Sequence, residues 1–175
     1  MTDLKRLTSI CPPPVRDARR DVSLQDGRGE LPSNHRHLIE TYGVGCFDEF
    51  LWIHGDSDEN PHLDLWTQTG VARSILAEQA ASPLRAQLAT LGVTPESLVK
   101  WGTTDNGDWL LWVPTGRPDS WPTIILEVRQ RDLLLVSRTS TGVILDLLTG
   151  QLTTPIFPED FPSDHPDFST NPYST

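Results

Sequence analysis

The chain has only two cysteines in 175 residues, Cys11 and Cys46, and neither sits in a Cys-x-x-Cys or Cys/His spacing. No disulfide framework or structural zinc site is expected from them, and a reducing compartment such as the cytoplasm is the expected setting. No apolar run approaches the ~20 residues needed to cross a bilayer. Lys5-Arg6 leads into a short mixed segment and Pro12-Pro13-Pro14, not into the apolar stretch of a signal peptide. Lysine is scarce: twelve of the fourteen basic residues are arginine, and the last 25 residues hold neither Lys nor Arg. Nucleic acid and anionic membrane both require basic patches, so neither is an expected partner. Gly43-Val44-Gly45 lacks the third glycine and the strand-to-helix setting of a dinucleotide fingerprint. Neither cysteine has a neighbouring histidine, so covalent catalysis has no support in the sequence.

What the chain does have is acid. Twenty-four Asp and Glu against fourteen Lys and Arg give a formal charge of −10. The charge is uneven: residues 1–37 carry seven bases and five acids, residues 38–100 three and nine. Such a surface attracts and steers a basic protein. A chain of this length fits one domain that buries roughly 70% of its unfolded surface.

The densest structural signal is Trp101-Gly102-Thr103-Thr104-Asp105-Asn106-Gly107-Asp108-Trp109. Asn-Gly suits a two-residue primed turn, because both residues tolerate positive φ. The flanks, 98–101 and 109–113, read as strands. Trp109 and Trp112 stand three apart and so point to opposite faces of a strand; one is expected in the core and the other nearer the surface. Upstream, a short helix is expected around 15–24. A clearer helix spans 33–42, with Leu38, Ile39 and Tyr42 buried and a glycine stop. One strand is expected over 47–53, then an acidic loop over 54–60. Asn60-Pro61 starts a helix to about Ala81, with Leu65, Thr69, Ala72 and Leu76 as its stripe. A shorter helix follows from Ser82-Pro83 to Gly92. Strands over 123–129 and 133–137 and a capped helix from Ser140 or Thr141 to Gly150 complete the order, and the tail reads as an irregular arm. Helices before and after a mainly antiparallel meander define an α+β fold.

Several constellations resemble active sites. Asp56-Ser57-Asp58-Glu59-Asn60 opens like a calcium loop, but its sixth and twelfth places hold Pro61 and Thr67 in place of Gly and Glu. His35 and His37 stand about 200° apart on a helix and cannot grip one ion; both are expected at the edges of a surface helix. His54 and His62 bracket the acidic loop and define the one metal-hydrolase alternative. Asp105 and Asp108 flank the turn as a glycosidase pair would, yet turn chemistry accounts for them. No catalytic residue, metal or cofactor is assigned.

Taken in order, Leu31-Pro32, Tyr42-Gly43-Val44-Gly45-Cys46-Phe47, the Trp101–Asp108 motif, Trp121-Pro122, a late helix ending Leu148-Thr149-Gly150, and Ile156-Phe157-Pro158-Glu159-Asp160-Phe161-Pro162 resemble the SUKH superfamily. Its members include bacterial immunity proteins and a fungal regulator of cell-wall assembly. The resemblance covers about 31–162, leaving 1–30 as a partly helical extension and 163–175 as a proline-rich tail. It implies a central bent antiparallel sheet with helices against it, and a binding role without a catalytic centre. Gly43, Gly45, Trp101, Gly102, Asn106, Gly107, Asp108 and Trp121 match as fold-makers. The expected function is an immunity protein that binds a secreted toxin, such as a nuclease with a basic cleft. The alternative is an intracellular regulatory or scaffold module. The expected contact surface is Asp48, Glu49, Asp56, Asp58 and Glu59, with Trp52 and Trp66 as anchors.

Overall fold

A computed structural model describes residues 2–15, 29–56, 59–78, 83–127, 129 and 132–170. Seven antiparallel strands form one sheet in the order β6-β5-β4-β3-β2-β1-β7. The strands are β1 Gly45–Phe47, β2 Leu51–Ile53, β3 Val99–Thr104, β4 Trp109–Trp112, β5 Thr123–Glu127, β6 Asp132–Val136 and β7 Phe168–Thr170. Strands one to six form a meander, and the chain then crosses to the far edge to add β7 beside β1. The α+β architecture expected from the order of elements is the one observed.

The helices are α1 Asp3–Ile10, α2 Ser33–Tyr42, α3 Leu65–Glu78, α4 Pro83–Thr90 and α5 Ser140–Leu148. The sheet has an apolar cluster on each face. Trp101, Leu110, Trp112 and Ile125 join Leu7, Leu38, Tyr42 and the apolar side chains of α5 in one cluster. Trp109, Leu111, Ile124 and Leu126 join Ala72, Leu76, Leu84 and Leu88 in the other. Strand alternation produces this division, since successive side chains point to opposite faces. Eight of the nine residues of α5 are buried, as expected of a helix apolar all round. Burying each large aliphatic or aromatic chain contributes about 1.5–3 kcal/mol, so this two-sided sheet is the main source of stability.

Several expectations are corrected. Trp109 and Trp112 do lie on opposite faces, but both are buried, because helices cover both sides. His35 is not a surface residue; it lies in the core with 1% exposure, while His37 is exposed. The 47–53 stretch is not one strand but a hairpin, β1 and β2, reversed at Asp48 and Glu49, whose φ angles are 53° and 54°. The Asn-Gly turn is a three-residue loop: Gly107 N–H donates to Thr104 O at 2.9 Å, and among the loop residues Gly107 alone has positive φ (88°). That is the type I turn closed by a left-handed glycine. Asn60 does not cap α3. Asp64 does, accepting from the Thr67 N–H at 2.8 Å, and the stripe Leu65, Thr69, Ala72 and Leu76 is buried as expected. The first helix lies at Asp3–Ile10, and the helix expected around 15–24 falls, apart from exposed Val15, outside the described residues.

Candidate functional site

The β1–β2 turn, the β3–β4 loop and the segment after α5 meet at one end of the sheet. Sheet order makes β2 the neighbour of both β1 and β3, so the two loops lie side by side. Asp105 N–H donates to Phe50 O at 3.0 Å, and Trp52 Nε1 donates to the Asp105 carboxylate at 2.7 Å. The C-terminal segment closes over them. Asp48 N–H donates to Asp167 O at 2.8 Å, and the Asp48 carboxylate accepts from both Ser163 N–H at 2.7 Å and Ser163 Oγ at 2.5 Å. Below, the Phe50, Phe157 and Phe161 rings pack with centroids 4.7–5.7 Å apart; such contacts favour fixed geometry over a fluid floor.

The result is a cleft of about 530 Å³ lined by Asp48, Glu49, Phe50, Asn106, Pro158, Asp160, Phe161, Ser163, His165 and Asp167. Among the described residues, four carboxylates line it and no Lys or Arg does. Its field reaches inward. Burial pushes the Cys11 thiol up to about 11, with Asp167 and Asp48 adding to the effect. Burial raises Cys46 further, and Asp105, Glu49, Asp167 and Asp48 add to it. Both thiols are buried and held protonated, so neither serves as a nucleophile at neutral pH.

Of the seven contact residues expected from sequence, the cleft unites Asp48 and Glu49 on its rim. Trp52 adjoins it through Asp105. Asp48 is partly structural, since it holds the Ser163 backbone. Asp56 and Glu59 lie on the separate loop between β2 and α3, Asp58 lies outside the described residues, and half-buried Trp66 packs against the core. The C-terminal contributors, Asp160, Phe161, Ser163, His165 and Asp167, carry no site signal in the sequence; Asp160 and Phe161 fall in the Ile156–Pro162 motif, and otherwise only the tail's lack of Lys and Arg points toward them.

The other constellations are dispersed. His54 is fully buried, whereas His62 is exposed. Asp108 accepts from Thr104 Oγ1 at 2.8 Å inside its own hairpin, and burial raises its pKa. Among the described residues, no group of three or more His, Cys, Asp or Glu is placed to hold a metal ion, and no helix is long and apolar enough to cross a membrane. No family profile, curated protein or solved structure shows significant similarity to the chain.

Proposed function

We propose that this chain is an immunity protein: it docks one-to-one onto a cognate secreted toxin and covers a basic active cleft, such as that of a nuclease. The observation carrying this reading is the concave anionic site with its aromatic floor, lined among the described residues by four carboxylates and by no Lys or Arg. Carboxylates over apolar rings suit a guanidinium, which takes bidentate hydrogen bonds at its edge and stacks on aromatic faces. The same field repels phosphate backbones, so a toxin's basic cleft is a better match than its substrate. Motif order resembling the SUKH superfamily supports the same conclusion. No turnover is required, because occlusion alone inactivates the toxin.

The test is co-expression with the product of the neighbouring gene, followed by pull-down and stopped-flow association. The expected result is a one-to-one complex that depends on Glu49 and Asp160, weakened by Glu49→Lys and Asp160→Lys while the fold is retained. A complex unaffected by both reversals would remove the cleft from the interface.

A further inference from the structure

The two edges of the sheet are unlike. At one, β7 is three residues long, and a short strand blunts an edge against pairing. At the other, β6 is Asp132-Leu133-Leu134-Leu135-Val136. It pairs with β5 in unbroken register over all five residues, from Thr123↔Val136 to Glu127↔Asp132. It contains no proline, lysine or bulge, and among the described residues no strand pairs with its outer side. Burial ends abruptly there. All four residues of β4 and the first four of β5 are buried, whereas none of β6 is, although four of its five residues are Leu or Val. Leu134 and Val136 pack half-buried against one apolar cluster and Leu133 against the other, while Leu135 is 40% exposed.

We propose that β6 is a self-association edge, where the strand pairs antiparallel with β6 of a second copy and continues the sheet across a two-fold axis. The sequence of the strand selects this occupant. Centred on Leu134, the symmetric register sets Leu134 opposite Leu134 of the second copy, Leu133 opposite Leu135, and Asp132 opposite Val136. Opposed residues share a sheet face in an antiparallel pair. The exposed Leu135 of each copy therefore gains a leucine neighbour, and the two Asp132 carboxylates stay at opposite ends. At the same time the outward Leu135 N–H and the outward carbonyls gain ladder partners, and the Leu133 N–H, which donates to Asp132 Oδ1 at 2.9 Å in the single chain, exchanges that acceptor for a ladder carbonyl. Because each copy carries −10, like-charge repulsion opposes the dimer and salt relieves it. That salt response is opposite in sign to the one expected for a basic partner at the anionic cleft.

Sedimentation velocity of the full chain over about 1–300 μM is expected to show a reversible dimer whose fraction rises with added salt. Leu135→Lys, which places the usual edge-blunting charge on the strand, is expected to weaken it at least about tenfold with unchanged circular dichroism. In the wild-type chain, amide exchange within 132–136 should slow as concentration rises. A chain that remains monomeric over the whole range overturns the proposal. So does a dimer that Leu135→Lys leaves intact and in which the β6 amides exchange as fast as in the monomer.

Discussion

His35 and His54 carry the largest untapped electrostatic consequence of the core. His35 Nε2 lies 2.9 Å from the His54 carbonyl, its Nδ1 lies 3.2 Å from Ser140 Oγ, and its ring meets Trp112 edge-on at 4.8 Å. Burial pushes its pKa down to about 4; burial, then the Lys100 charge, push His54 down to about 3. Both rings are therefore neutral in the fold, while the unfolded chain takes up their protons near pH 6.5. Stability is full above that value and falls as pH drops below it, by up to about 1.4 kcal/mol per pH unit per histidine, until the folded values are reached. Urea unfolding at pH 7.5 and pH 5 checks this, and His54→Leu should remove about half the slope. Trp101 has no exposed surface and packs against both His35 and Trp112, its ring centroid 6.0 Å from each. Trp101→Ala is expected to cost roughly 3–5 kcal/mol, measured by the same unfolding; an unchanged midpoint would contradict its burial.

At the scale of elements, side chains from distant parts of the chain do the local work. Pro32 offers no side-chain cap to α2, and Asp119, 86 positions away, accepts from Ser33 N–H and Oγ in its place. Strand alternation sends Trp101 into one apolar cluster and Lys100 to the other face, where its Nζ lies 4.9 Å from the Trp109 ring, and the register with β4 shifts by one residue between Lys100 and Gly102. Gly45 decides how close β7 comes to β1: a Cβ there would collide with the Ser169 carbonyl and the Phe168 ring. Gly45→Ala is therefore expected to loosen β7 and the segment that walls the cleft. Amide exchange at 168–170 should quicken several-fold, roughly in line with a loss of 1 kcal/mol or more in local stability, while α5 keeps its protection.

For the molecule as a whole, charge and shape combine at one end of the sheet. The cleft is anionic because the turn after β1 and the base-free tail converge there, and the aromatic floor holds them in place. Association with a basic partner should slow by about tenfold or more between about 50 and 500 mM salt, as followed by stopped flow. A rate insensitive to salt would detach the electrostatics from binding. The anionic cleft lies by β1 and β2, and β6 forms the opposite edge, so both surfaces are available on one chain.

Much of this is legible in the amino-acid sequence. Apolar spacing and end signals locate α2, the stripe of α3, α5 and strands β3 to β6, because those elements bury whole faces, whereas β7 lies in the tail that reads as an irregular arm. Asn106-Gly107 marked the β3–β4 loop, although only the fold decided that Gly107 alone turns left-handed. Short elements were not legible. β1 and β2 span three residues each, too few to show a period, and Asp48 and Glu49 are unusual in a left-handed turn. His35 looked like a surface residue because its neighbours are polar; its burial depends on Trp112, 77 positions away. The cleft is the clearest case of all. Its acids were countable in sequence, but their meeting required strand pairing to bring residues 48 and 163 together, and a linear chain does not encode that distance in any local pattern.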